Sequence, residues 1–426
     1  MKTSPIDKQK KSSPKTGSSS SRQIFKLIRQ ETERQADGLI MIASENYCSR
    51  EVMAAVGSPL SNKYSEGYPG RRYYTGNQYI DQIEMAAQDS CLKMFGLDPK
   101  KWHANVQPHS GSSANLAVYL GLLKPGDKIL AMDLAHGGHL THGSPVNFSG
   151  RLFDFSHYGV DSKTQRIDYR ELEKIALKNK PKMIVCGATA YPRTIDFKKF
   201  GAIAKKCGAL LVADISHIAG LIVAGCHPSP FPYADVVTST THKTLAGPRS
   251  AFIICRSALA QNIDRAIFPG LQGGPLENII AGKAICFAEA LTPKFKKIQR
   301  QTVKNAAALA ETLLKNKIPL VAGGSDNHLL LLDLQTLNIG GKEAADLLAE
   351  ADIYTNANMI PFDPATPLKP SGLRLGTPAL STRGLKEKEI KLIGLWIAAI
   401  LKTPQDQKLR LRIKSEVKIL TKKFPI

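Results

Sequence analysis

The stretch Asp235-Val-Val-Thr-Ser-Thr-Thr-His-Lys243-Thr-Leu-Ala-Gly-Pro-Arg249 decides the fold. Val236 and Val237 read as the end of a buried strand, and Thr238 to Thr241 with His242 lead from it into Lys243. An ordinary lysine snorkels to the surface. One held at a strand end and stripped of water loses proton affinity and becomes a nucleophilic amine. The upstream run Ala209-Leu-Leu-Val-Ala-Asp214-Ile-Ser-His217 favours the second reading, because an apolar strand there ends in a carboxylate.

Working outward, Lys128–Met132, Met183–Cys186 and residues 209–213 read as strands, with a helix over 196–207. Strand–helix–strand order repeats across 128–260, the pattern of a mainly parallel sheet with helical crossovers. Pyridoxal phosphate enzymes need a lysine for a Schiff base and an acidic partner for the pyridinium nitrogen. Asp214 followed by Lys243 supplies that pair in chain order.

Composition bounds the rest. The 426 residues, 43% hydrophobic and 22% charged, suit a soluble chain of more than one domain. No apolar run approaches the ~20 residues that cross a bilayer, and no secretory signal is expected. The seven cysteines contain no Cys-x-x-Cys pair, so reduced thiols in the cytoplasm are expected. Of the net charge of +22, residues 1–22 carry +5 and residues 402–426 carry +6. Such ends attract polyanions loosely. Without an aromatic-interleaved basic patch they read as solvated tails, and nucleic-acid binding is not expected.

Several further stretches carry chemistry. Residues 23–36 place Ile24, Leu27 and Ile28 on one helical face. Lys63-Tyr-Ser-Glu66-Gly-Tyr-Pro-Gly-Arg-Arg-Tyr-Tyr74 reads as a tyrosine-rich loop. Gln107-Pro-His-Ser110-Gly111-Ser112 opens a helix through Leu123, and open N–H groups at a helix start bind phosphate. Leu134-Ala-His-Gly-Gly138-His139-Leu140-Thr-His142 holds three histidines, but no acidic ligand set follows and no metal is expected. Arg374 lies between Leu373 and Leu375 on an apparent strand, where it either pairs internally or grips a carboxylate.

Taken in order, these blocks, with Ala-Ser-Glu-Asn (43–46), Thr-Thr-His-Lys-Thr-Leu-Ala-Gly-Pro-Arg (240–249) and Ser-Gly-Leu-Arg-Leu-Gly-Thr-Pro-Ala (371–379), resemble the serine hydroxymethyltransferase family. The resemblance runs from about residue 23 nearly to the C-terminus. It implies the aspartate aminotransferase fold: a mainly parallel seven-stranded sheet sandwiched by helices, and a smaller α+β C-terminal domain. The expected division is a disordered basic tail (1–22), an N-terminal arm (23–50), a large cofactor domain (51–290) and a small domain (291–426).

The same resemblance implies pyridoxal 5'-phosphate as cofactor and tetrahydrofolate as co-substrate, with serine and glycine exchanged. Lys243, Glu66, Asp214, His139 and Tyr74 are the implied catalytic residues. Tyr64, Ser110, Gly111, Ser112, Thr189, His217, Thr240, His242 and Gly274 join His139, Asp214 and Lys243 at the cofactor. Ser44, Glu66, Tyr74, His217 and Arg374 fall to the substrate, and Glu66, Leu134, Gly138, Leu140 and Asn358 to the folate. Asn358 is read as lying in a Pro-rich loop. A homodimer or tetramer with shared sites is implied, the arm and Tyr64 reaching the neighbouring subunit. A folate-independent aldolase acting on β-hydroxy amino acids such as allo-threonine shares the cofactor machinery and is the competing reading. Thr189, Ser250 and Leu271 depart from the family's usual Ser, Gly and Gly.

Overall fold

The computed structural model describes residues 19–426. The chain opens with α1 (Ser19–Asp37), β1 (Leu39–Ile40), α2 (Arg50–Val56), a hairpin of β2 (Gly67–Tyr68) and β3 (Arg71–Arg72), α3 (Gln78–Met94), β4 (Trp102–Asn105) and α4 (Gly111–Leu122). Alternation follows: β5 (Lys128–Met132), α5 (Phe148–Leu152), β6 (Asp154–Tyr158), α6 (Tyr169–Asn179), β7 (Met183–Gly187), α7 (Phe197–Cys207), β8 (Leu210–Asp214), α8 (Ala219–Val223), β9 (Val236–Thr240) and β10 (Ala251–Arg256). Then come α9 (Ala260–Arg265), α10 (Glu277–Ala290) and α11 (Pro293–Lys315). The C-terminal part holds β11 (Leu329–Asp333), α12 (Gly341–Glu350), β12 (Ile353–Tyr354), β13 (Asn356–Asn358), β14 (Gly372–Gly376), α13 (Pro378–Thr382), α14 (Glu387–Lys402) and α15 (Gln407–Lys423).

The expected seven-stranded sheet is present, in the order β4-β10-β9-β8-β7-β5-β6. It is parallel from β9 to β6, and β10 runs antiparallel to both its neighbours. Every residue of β7 and of β9 is buried, as parallel strands require when helices cover both faces. Alternate side chains feed two cores: Ile184, Leu211 and Ala213 pack on one face with Phe200 and Phe287, while Val185 and Val212 pack on the other with Tyr119 and Ile253. The crossovers are punctuated locally. In α7, Asp196 accepts the Lys199 N–H at the N-terminus, and Gly208 ends the helix at φ 69°, which turns the chain into β8.

A third core joins Leu309, Leu330, Leu373 and Trp396 to Leu39 and Met41 from near the start of the chain. Its sheet is antiparallel, β11-β14-β13, and β1 pairs in parallel with β12 through Leu39 and Ile353.

Three local expectations change. Val236 and Val237 begin strand β9 instead of ending it, and the strand continues through Thr238, Ser239 and Thr240. Those hydroxyls tolerate burial because they are bonded: Thr238 Oγ1 donates to Asn115 Oδ1 at 2.6 Å and Ser239 Oγ to the Thr240 carbonyl at 2.8 Å. Asn358 closes strand β13, paired with Gly372, so it is strand-borne and not on a loop. Helix α1 already includes Ser19–Arg22, inside the segment assigned to the tail, since no Pro or Gly interrupts that turn before Ile24. The rest of that tail lies outside the described residues.

Candidate active site

In open α/β sheets ligands bind beyond the carboxyl ends of the strands. The loops leaving β5, β7, β8 and β9 carry His139, Thr189, His217 and Lys243, and the end of β8 carries Asp214. With Ser110, Gly111 and Ser112 at the start of α4, and with Ser44, Thr240, His242 and Arg374, they line one cavity of about 290 Å³. Twelve residues expected from the sequence thus converge on one wall, from segments far apart in the chain.

Lys243 Nζ donates to Thr240 Oγ1 at 2.9 Å. Burial lowers its pKa to about 8; Asp214 pulls the other way, while Arg374 and Arg249 add to the lowering. About a tenth of the amine is therefore uncharged at pH 7, against well under a thousandth for an ordinary lysine. The lysine's carbonyl accepts from Asn46 Nδ2 at 3.0 Å, and Asn46 Oδ1 accepts from Thr382 at 2.8 Å, so the loop is braced from the C-terminal part.

Asp214 accepts from Asn115 Nδ2 at 2.9 Å and from the Ser216 N–H at 3.0 Å, and His142 Nε2 stands 3.5 Å from Oδ2. Burial opposes the carboxylate's charge, but His142, His139 and the Ser216 contact outweigh it and hold the carboxyl well below the usual range. Burial lowers the pKa of His139 to about 4 and of His242 to about 3, so both rings are neutral near pH 7. His139 Nδ1 is 2.7 Å from Thr141 Oγ1. His217 is pushed well below its ordinary value by burial, and its Nδ1 lies 3.2 Å from His328 Nε2.

Arg374 is 7% exposed. It donates to Asn356 Oδ1 at 3.2 Å and to the Thr189 carbonyl at 2.9 Å, and among the described residues no carboxylate pairs with it. Burial alone lowers its pKa to about 10, so it stays charged. A buried guanidinium without an acid is costly unless an anionic ligand completes it. The cavity sets Lys243, Arg374 and Arg249 against the single carboxylate of Asp214, a balance that attracts anions.

The residues fit pyridoxal phosphate. Among the described residues His242 Nδ1 is buried on the cavity wall without a hydrogen bond, and His142 Nε2 has only Asp214, at 3.5 Å. Helix α4 offers its N-terminus beside Ser112, and Gly111 packs so closely on β9 that an added Cβ would lie 2.8 Å from Thr240 Cγ2. Ser110 is the N-cap, its hydroxyl accepting from the Ser113 N–H at 3.3 Å.

The remaining expected residues do not line this cavity. Tyr64 and Tyr74 form an exposed edge-on pair with ring centres 5.1 Å apart, and the Tyr64 hydroxyl is 3.4 Å from Glu66 Oε1. Gly274 lies against the Tyr64 ring, where a Cβ would sit 3.2 Å from Cζ. Leu134 and Leu140 are exposed, Gly138 is packed under the Met132 carbonyl, and Asn358 Nδ2 donates to the Met359 carbonyl at 2.7 Å. Conversely, Asn115, His142, Ser216 and Arg249 belong to the site although the sequence reading gave them no role. Asn115 sits mid-helix, where only its burial could have flagged it. Ser216 lies between Asp214 and His217, and its Oγ accepts from the Thr240 N–H at 3.0 Å.

A poised lysine after one strand, a charged carboxylate at the end of its neighbour and a helix N-terminus between them define a pyridoxal phosphate-dependent enzyme. A family model described as serine hydroxymethyltransferase matches residues 18–397. A curated serine hydroxymethyltransferase of Methanospirillum hungatei is 54% identical over 95% of this chain and 97% of its own length. One from a Nostoc species is 53% identical over 95% and 94%. The chain belongs to the serine hydroxymethyltransferase family, a family of pyridoxal phosphate-dependent one-carbon transferases that use tetrahydrofolate as co-substrate. The aldolase reading is not supported.

Proposed function

We propose that the chain moves the hydroxymethyl carbon between serine and tetrahydrofolate with the residues of this cavity in the following roles. Arg374 and Ser44 grip the amino-acid carboxylate, Arg374 by two parallel hydrogen bonds. Lys243 offers its neutral amine as nucleophile and proton carrier. Ser110, Gly111 and Ser112 with Thr240 would hold the phosphate, His139 the ring face, Thr189, His217 and His242 its polar edge, and Asp214 the proton of the pyridine nitrogen. Bound pyridoxal phosphate supplies an electron sink for the bond broken at the amino acid's α-carbon. Glu66, with Tyr74, moves protons at the hydroxymethyl group, and Leu134, Gly138, Leu140 and Asn358 seat the folate. The unpaired, nearly buried Arg374 carries this reading.

We further propose a homodimer in which Tyr64, Glu66, Tyr74 and Gly274 of one copy complete the cavity of the other. Their place off the cavity wall of their own chain supports it, as do the exposed apolar residues Ile24, Leu27 and Ile28 of α1. The division at residue 290 into a large and a small domain is proposed on two separate cores, the second drawn from residues after 290 except for Leu39 and Met41, the first from residues before it except for Phe295. A cytoplasmic location is proposed on the seven unpaired thiols.

The test is serine cleavage by the purified protein with and without tetrahydrofolate. Glycine release that depends on the folate is expected. Equal cleavage of serine or allo-threonine without it would overturn the proposal.

A further inference from the structure

Away from the cavity, charge is buried behind the β2–β3 hairpin. Arg72 (side chain 4% exposed), Glu84 (0%), Glu277 (0%) and Lys283 (1%) form one cluster. Charges so deep are costly unless the geometry is used. Here the geometry closes on Glu66. Arg72 Nη1 donates at 2.9 Å to the carbonyls of both its neighbours, Ser65 and Gly67. The Glu66 carbonyl accepts from the Tyr73 N–H at 3.0 Å. Ser65 Oγ donates to Glu277 Oε1 at 2.5 Å, and that same oxygen is 4.0 Å from Arg72 Nη1. Arg72 is fixed from behind by Asp81 at 2.9 Å and Glu84 at 2.6 Å.

We propose that Glu277 is a positioning residue for Glu66: through Ser65 and Arg72 it sets the backbone on both sides of the proton-moving carboxyl. The inference rests on the role given to Glu66 above. The groups facing Glu277 are Ser65 before β2, Arg72 on β3, Glu84 on α3 and Lys283 on its own helix α10. Burial, then Glu84, raises the Glu277 pKa to about 7 against the pull of Ser65, Arg72 and Lys283. Among the described residues its Oε2 is buried without a partner, a place for the proton it carries below that pH. Above it, the ionised carboxyl competes with the Ser65 and Gly67 carbonyls for the one Arg72 nitrogen, and the backbone of Glu66 loosens.

The experiment compares Glu277→Gln, Glu277→Ala and Ser65→Ala holoenzymes in the tetrahydrofolate-dependent serine assay across pH 6–9. In Glu277→Ala, kcat falls about 100-fold, the scale for a misplaced catalytic group, while the serine KM stays within about two-fold. Glu277→Gln keeps the Ser65 bond and cannot ionise, so it is expected to retain kcat and to lack the fall in rate expected of the parent above pH ~7. Should Glu277→Ala not fold, Ser65→Ala leaves every ion pair intact and is expected to lower kcat and speed amide exchange in residues 63–74. An unchanged kcat in Glu277→Ala or, if that variant does not fold, in Ser65→Ala overturns the inference, as does the same alkaline fall in Glu277→Gln. Glu66→Gln, run in parallel, separates the two readings: retained activity there removes the role of Glu66 itself.

Discussion

Arg374 Nη1 donates to the carbonyl oxygen of Thr189 at 2.9 Å, a contact that reaches from the small antiparallel sheet to the loop leaving β7. One backbone acceptor and one asparagine aim the guanidinium, and neither neutralises it. Among the described residues its charge stays uncompensated.

Arg374→Lys is therefore not a conservative change. The serine kcat/KM is expected to fall about 100-fold or more, the scale for breaking a buried charge pair. Most of the loss should appear in KM, with the bound cofactor's visible absorbance retained. Unaltered serine kinetics would remove Arg374 from the substrate's carboxylate.

The depressed pKa of Lys243 has two consequences. Covalent capture of added pyridoxal phosphate by the apoprotein should accelerate through pH 8, as the amine becomes neutral, and level off above it. The stability effect has the same origin. Between the folded value of about 8 and the ordinary 10.5 the unfolded chain holds a proton that the native chain lacks, so native stability rises with pH across that window. Lys243→Met should stabilise the apoprotein at pH 7, with a gain that shrinks from pH 8 to 10.5. Urea denaturation at several pH values measures it.

Lys243→Ala and Glu66→Gln should each be nearly inactive alone, with turnover reduced by roughly four orders of magnitude for the lysine variant. If sites are shared between two copies, exchanging subunits between the two variants creates hybrids with one intact site. Activity should return toward about a quarter of the parent's. No recovery under conditions where subunits exchange would place both residues in the same copy's site.

Gly111→Ala should cost about 1–3 kcal/mol by overpacking against Thr240, because the new Cβ would lie 2.8 Å from its Cγ2. The push displaces the start of α4, so affinity for pyridoxal phosphate should fall with it. Thermal denaturation of the apoprotein and cofactor titration report the two effects separately.

Much of this was legible because the chemistry repeats strand grammar. Asp214 and Lys243 stand at or just past strand ends, and apolar runs such as Met183–Cys186 have no alternative but a covered sheet. Hydroxyl runs carry no such signal, so Thr238 to Thr240 looked like an exit from the strand they in fact form. Asn115 escaped notice for a related reason: its partners, Asp214 and Thr238, come from strands about a hundred positions on. Local pattern does not encode which helix faces which strand end. Glu66, Tyr64 and Tyr74 were assigned by resemblance alone, and the exposure of the two tyrosines shows why: nothing local tells a tyrosine there from a solvated one.

The pairing of β1 with β12 has a consequence for how the molecule is made. Leu39 and Met41 leave the ribosome early, yet their neighbours in the third core extend to Leu420. The central sheet can close while synthesis continues, but this smaller body waits for nearly the last codon. Until then two of its greasiest side chains are without cover, so a nascent chain stalled before Ile353 would present them to chaperones or to aggregation.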